Sequence, residues 1–220
     1  MKTILFQGDS ITDANRSRDF EENHNGHGYA TLAAARISYQ YPGKYKILNK
    51  GIGGNRVVDI LERINRDILN LKPDYMSLLI GVNDIWAGIR FTDGTPTELF
   101  ENVYDLIIKE VKTKLPNIKI AILGAFVLKS PDNEAYYEEF RKGVEERAAA
   151  AKRIAEKHGL VYIPLQEKFD EAAAKSGNTL DWTADGVHTT PAGHEIIARE
   201  WCEKFFDKVI KSSGEMSRGK

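Results

Sequence analysis

The chain has 220 residues, 42% hydrophobic and 29% charged, and its 31 basic and 32 acidic side chains leave a net charge of −1. That length suffices for one packed α/β domain without disulfide or metal staples. The scattered charge excludes partners recognised through a bulk field, nucleic acid and anionic membrane surfaces among them.

Short apolar runs alternate with helical patterns along the whole sequence, which predicts a parallel sheet covered on both faces. Strands are expected over residues 3–7, 45–49, 75–80, 118–123 and 161–164. The first opens at Gly8-Asp9-Ser10 into a polar turn and a long loop over residues 13–28, ahead of a helix over 29–41. Loops of that length are uncommon in compact domains and often functional. A second helix is predicted over 57–71, with Val58, Leu61, Ile64, Ile68 and Leu71 at helical spacing. The third should start at Thr95-Pro96-Thr97-Glu98, with Thr95 as cap and Pro96 at the first helical position. Its apolar stripe would be Leu99, Val103, Leu106, Ile107, Val111 and Leu115, ended by Pro116.

A long alanine-rich helix follows over 133–158, closed by Gly159, with His158 in a structural place at its C-terminus. A short helix over 166–175 precedes a polar stretch, and Thr190-Pro191 starts the last helix, with Ile196, Ile197, Trp201, Phe205 and Val209 inward. Cys202, the single cysteine, permits no intrachain disulfide and reads as a buried apolar thiol. The domain is expected to span residues 1–211, with 212–220 a disordered tail. The apolar run Ile4-Leu5-Phe6 is too short for a signal-peptide core and nothing approaches a bilayer span, so a cytoplasmic protein with no membrane partner is expected.

Five strands in the order 2-1-3-4-5, usual for a flavodoxin-like three-layer α/β/α sandwich, would bring the loops after strands 1, 2 and 3 together. Those loops begin Gly8-Asp9-Ser10, Gly51-Ile52-Gly53-Gly54-Asn55 and Gly81-Val82-Asn83-Asp84. They offer a serine hydroxyl, backbone N–H groups freed by glycine and a side-chain amide, the groups that acyl transfer needs around a developing oxyanion. Each loop taken alone is equally an ordinary tight turn. A serine also needs a base. Of five histidines, His24 and His27 lie in the long loop and His194 inside the last helix, whereas His188 stands in a turn, Asp185-Gly186-Val187-His188. There the aspartate can reach one ring nitrogen while the other faces outward, or the pair can simply stabilise the turn. One Asp-x-x-His without further ligands does not make a metal site.

These four blocks, in this order and spanning residues 8 to 188, resemble those of the SGNH (GDSL) hydrolase family. The resemblance implies Ser10 as nucleophile, His188 as base and then acid, Asp185 orienting it, and an oxyanion hole of Ser10, Gly54 and Asn83. Trp182 and Gly193-His194 further resemble the branch containing carbohydrate acetylesterases, although Thr189 stands where many relatives carry proline. The absence of a Gly-x-Ser-x-Gly elbow, and an Asp and His sharing one late turn, argue against the α/β-hydrolase fold.

The expected activity is hydrolysis of short acyl esters, acetylated oligosaccharides such as xylo-oligosaccharides above all, with no cofactor and no required metal. Asp9, Asn55, Trp86 and Trp182 are candidate substrate contacts, and the predicted loops over 84–94 and 125–131 carry isolated apolar residues but no amphipathic lid. Rival readings are a lysophospholipase or thioesterase acting on longer chains, and a non-catalytic binding module on the same fold. A homo-oligomer stays open, with Tyr136 and Tyr137 as candidate interface residues.

Overall fold

The structure, a computed structural model, describes residues 1–18 and 24–211; the expected tail over 212–220 lies outside them. Strands β1 (Lys2–Gly8), β2 (Tyr45–Asn49), β3 (Tyr75–Leu79), β4 (Lys119–Leu123) and β5 (Val161–Ile163) form one sheet in the order β2-β1-β3-β4-β5. All neighbouring strands pair in parallel. Phe6 pairs with Asn49 and Gly8 with Leu79, so β1 ends level with β3 and just beyond the end of β2, and its C-terminal loop emerges between theirs.

Successive strand residues point to opposite faces, and both faces are buried, as helix-covered parallel sheets require. Ile4, Phe6, Ala121 and Leu123 pack on one side with helix α2 (Tyr29–Gln40) and helix α9 (Pro191–Trp201). Leu5, Met76, Leu78 and Ile122 pack on the other with helix α6 (Thr97–Lys114) and helix α7 (Tyr137–His158). Phe6 is central to the first face, its ring 4.8 Å from Trp201 and 5.5 Å from Tyr29; burying such a side chain stabilises the fold by ~2 kcal/mol.

Several elements depart from expectation. The serine turn is a single helical turn, α1 (Ser10–Asp13), capped by Asp9. The helix expected over 57–71 is broken into α3 (Val57–Glu62), α4 (Ile64–Asp67) and a 3-10 turn, Leu69–Leu71. The break falls at Arg63, whose buried guanidinium turns inward to donate to Gly8 O, Lys50 O, Asn55 Oδ1 and Asp67. Val57 and Ile60 consequently take inward places that Val58 and Leu61 were expected to fill.

Most of the loop expected over residues 84–94 is helix instead: α5 spans Val82–Phe91, and only residues 92–94 of that stretch lie outside it. Its Gly88 lies against Gly94, where an added Cβ would come within 2.7 Å of the Gly88 Cα, so these glycines serve close packing and not chain breaking. Thr95 does not cap α6. The helix starts one residue later on Pro96, and buried Thr95 bonds Asp84 instead. The α6 stripe is accordingly rotated, with Phe100, Tyr104, Ile107, Ile108 and Val111 buried and Leu99 and Leu106 exposed. The larger aromatic surfaces win the inward face.

The remaining helices follow the sequence closely. A 3-10 turn, Glu134–Tyr136, leads into α7, which ends on Gly159 in the left-handed region; helix α8 is Gln166–Ser176. His158 Nε2 lies 2.7 Å from Asp105 Oδ1. Thr190 caps α9 by accepting the Gly193 N–H, with Pro191 first in the helix, and a π-helical segment, Cys202–Ile210, continues it. Cys202 is half-buried and not buried; its surroundings still push the thiol up to about 11. Tyr136 and Tyr137 are half-buried as well. Among the described residues no helix is long and apolar enough to cross a membrane.

Candidate active site

The site lies at the C-terminal ends of β1, β2 and β3, where chain reversal leaves backbone N–H groups without strand partners. Asp9, only 1% exposed, accepts the Ile11 N–H at 3.0 Å and so fixes the turn that begins with Ser10. Burial pushes its carboxyl up to about 7, against the opposing pull of the Ile11 N–H and of His188. As a substrate contact Asp9 is too deep; its carboxylate is spent on the turn.

Ser10 Oγ lies 3.0 Å from His188 Nε2, and His188 Nδ1 lies 2.6 Å from Asp185 Oδ2. The other Asp185 oxygen accepts the Val187 and His188 N–H groups at 2.9 and 2.7 Å. Burial alone would raise Asp185, but these bonds outweigh it and hold the carboxyl at about 2. The same hydrogen bond from Asp185 raises His188 above its ordinary value, with burial opposing.

The turn that carries this pair is built on Gly186, at φ +92, where a Cβ would meet Leu128 O at 2.4 Å. The loop after β4 supports it: Leu128 N–H donates to Gly186 O and Ser130 Oγ to Asp185 O, while Asn133 Nδ2 ties Leu128 O in place. This support was missed in the sequence, where Ser130 fell in the predicted loop over 125–131 and Asn133 at the start of the helix over 133–158. Phe126, in the same loop, faces the core and stacks on Phe169 at 3.9 Å.

Facing Ser10, Gly53 donates its N–H to Asp13 Oδ2 at 3.0 Å, and Gly54 follows at φ +79 with open space around it. Asn83 Nδ2 donates to Asn55 O at 3.1 Å, and an amide NH₂ keeps a second donor. Buried Asp84 accepts the Val57 N–H at 3.2 Å from both carboxylate oxygens, which clamps the β2–α3 loop to the start of α5; burial pushes it up to about 6. Asn55 is structural as well, its Oδ1 accepting Arg63 Nε at 2.8 Å. Trp86 comes to the site, its ring 6.2 Å from that of His188. Trp182 does not: its indole N–H donates to Ser176 Oγ at the end of α8.

A cavity of about 290 Å³ opens beside Ser10 and His188, lined also by Asp13, Asn15, His27, Gly53, Thr189 and His194. His194 is buried, accepts the Tyr29 N–H at 3.2 Å and lies 3.0 Å from Thr189 Oγ1; burial pulls it down to about 4, so it is neutral at working pH. It thereby ties the residue after His188 to the start of α2. His27 carried no motif that would have placed it here, and His194 was marked only by the resemblance of Gly193-His194 to the carbohydrate acetylesterase branch. A larger cavity, about 470 Å³, lies between α5 and α7 and does not reach Ser10 or His188. Among the described residues no group of three or more His, Cys, Asp or Glu side chains is arranged to hold a metal ion.

A model of the GDSL-like Lipase/Acylhydrolase family matches residues 6–196. An acetylxylan esterase of Geobacillus stearothermophilus is 29% identical over 217 residues, covering 95% of this chain and 96% of that protein. Its crystal structure, Axe2, superposes with a TM-score of 0.81 at 28% identity over 92% of this chain and 93% of that one. A GDSL-like protein of Parabacteroides merdae ATCC 43184 has a TM-score of 0.84 at 33% identity, over 92% of this chain and 94% of that one.

Proposed function

Because the chain belongs to the GDSL-like lipase/acylhydrolase family and is an SGNH esterase, we propose that Ser10, His188 and Asp185 are its catalytic triad and that it removes acetyl groups from oligosaccharides. The observation that carries the triad is the unbroken line of contacts from Ser10 Oγ through both ring nitrogens of His188 to Asp185. Ser10 Oγ attacks the ester carbonyl as its proton passes to His188 Nε2. The ion pair with Asp185 stabilises the imidazolium that forms. His188 returns the proton to the leaving alcohol oxygen, leaving acyl-Ser10; it then takes a proton from water as that oxygen attacks the acyl carbon, and passes it to Ser10 Oγ as the bond from Oγ to the acyl carbon breaks, freeing the acid and restoring Ser10 and neutral His188.

The oxyanion is held by the N–H groups of Ser10 and Gly54 and by Asn83 Nδ2. Gly53 is spent on Asp13, which supports Gly54 as the glycine donor. Asn83→Ala is expected to lower kcat by ~10²–10³ with a smaller change in KM, because that bond strengthens only as charge develops. Steady-state kinetics on a nitrophenyl acetate measure it; an unchanged kcat removes Asn83 from the hole.

A short acyl group and a hydroxylated alcohol are supported by the mixed lining of the cavity beside Ser10, where Asp13, Asn15, His27 and His194 accompany the apolar Ile11 and Ala14, too little apolar wall for a long chain. Similarity to an acetylxylan esterase supports a xylo-oligosaccharide in particular. In the cytoplasm the enzyme would act on acetylated oligosaccharides already imported. The test is acetate release from acetylated xylo-oligosaccharides, beside nitrophenyl esters from acetate to laurate. Serine-dependent acetate release is expected, with nitrophenyl ester turnover falling ~10-fold or more beyond butyrate. Turnover that rises towards laurate instead makes the enzyme a lysophospholipase or thioesterase.

A further inference from the structure

On the other side of His188 from the cavity beside Ser10, α5 presents a wall that the triad does not use. Trp86 is half-buried beside the His188 ring and backed by Phe140, 6.0 Å away. One helical turn on, exposed Arg90 sets its guanidinium carbon 5.9 Å from the Trp86 ring centre and 5.6 Å from that of Tyr136. Its Nη2 donates to Tyr136 Oη at 3.3 Å. The i,i+4 spacing keeps Trp86 and Arg90 on one helix face, so the order outward from the serine is His188, Trp86, then Arg90 with Tyr136.

Arg90 differs from other arginines of the chain. Arg56, Arg63, Arg141, Arg153 and Arg199 each engage a carboxylate, whereas among the described residues Arg90 has no acidic partner. Two aromatic rings flank its guanidinium, and the N–H groups not given to Tyr136 Oη are left for a ligand. A guanidinium so oriented loses little freedom when it takes a carboxylate in two parallel hydrogen bonds.

Resting on the reading of Ser10 as the reacting centre of a carbohydrate esterase, we propose that this wall is a substrate subsite. Trp86 stacks on a sugar ring next to the acetylated one, and Arg90 binds the carboxylate of a uronic acid carried by the same oligosaccharide. The enzyme then prefers acidic acetylated oligosaccharides over neutral ones.

Titration calorimetry of the wild-type protein with non-acetylated xylo-oligosaccharides, with and without a glucuronic acid branch, tests the subsite without turnover. The branched ligand should bind ~10-fold tighter, as one charge-assisted pair at an accessible site allows. The margin should shrink with salt, vanish for the branched ligand's methyl ester and vanish in Arg90→Gln. Arg90→Lys should restore only part of it, since lysine lacks the fork. Equal affinities in the wild type, no binding of either ligand, or a margin that survives Arg90→Gln would each overturn the subsite. Acetate release is read separately: release without the acidic preference removes the subsite alone, and the preference without release removes the acetylesterase reading instead.

Discussion

Ser10→Ala is expected to lower kcat on acetyl esters by ~10⁶, the scale of losing a triad nucleophile, because the remaining groups only bind and polarise the carbonyl. A residue of ~10³–10⁴ over the uncatalysed reaction should persist, supplied by Gly54, Asn83 and substrate binding. Among the described residues the Ser10 side chain hydrogen-bonds His188 alone, while the turn around it is fixed by Asp9 through the Ile11 N–H. The variant should therefore melt where the wild type does, and a loss of turnover cannot be assigned to unfolding. A covalent organophosphate adduct, seen by mass spectrometry on the wild type and missing from Ser10→Ala, gives the same answer independently of rate. Turnover that survives the substitution in a pure sample would remove Ser10 from the chemistry and with it the acyl-enzyme.

The sheet was legible because its signals are local: each strand is a short apolar run closed by glycine, asparagine or proline, and the order follows from alternation with helices. The meeting of Ser10 and His188, 178 residues apart, followed from that order together with a turn able to pair His188 with Asp185. What the sequence hid depends on close approach between segments. Gly88 and Gly94 fell in the loop predicted over 84–94, yet they let the segment after α5 lie against that helix. Arg63 fell inside the predicted helix over 57–71, off its apolar stripe, and is the buried group that ends α3 by reaching strand-end carbonyls. Trp182 sits three residues before Asp185, so its sequence position suggested the site; its indole is instead fixed by the end of α8. Ser130, Asn133 and Asp84 support the site through backbone groups, and a side chain that serves a distant carbonyl or N–H leaves no periodic mark.

Asp185→Asn separates orientation from nucleophilicity. The asparagine can still accept the Val187 and His188 N–H groups, so the turn on Gly186 should hold, but it cannot supply the charge that the protonated imidazole meets. A fall in kcat of ~10⁴ is expected, smaller than that for Ser10→Ala. The pH dependence carries the sharper prediction. His188 acts as base only when neutral, and Asp185 raises its pKa above the ordinary histidine value of ~6.5. As pH falls, wild-type kcat/KM should therefore decline from above that value. In Asp185→Asn the raising interaction is gone and burial, which favours the neutral ring, remains, so the acid limb should move to lower pH. Stability follows the same pair. The Asp185 carboxyl, held at about 2 in the folded protein against ~3.9 for a free aspartate, contributes stability above the unfolded value that is lost as pH falls through the folded one. His188, raised by the same bond, adds stability that is full below ~6.5 and lost as pH rises through its folded value, so melting of wild type and variant should differ most between about pH 4 and 6.5 and converge in strong acid. An acid limb that stays in place while kcat falls would mean that Asp185 orients His188 without setting its charge, and the electrostatic half of the triad would have to be sought in Asp9, the other carboxylate that raises His188.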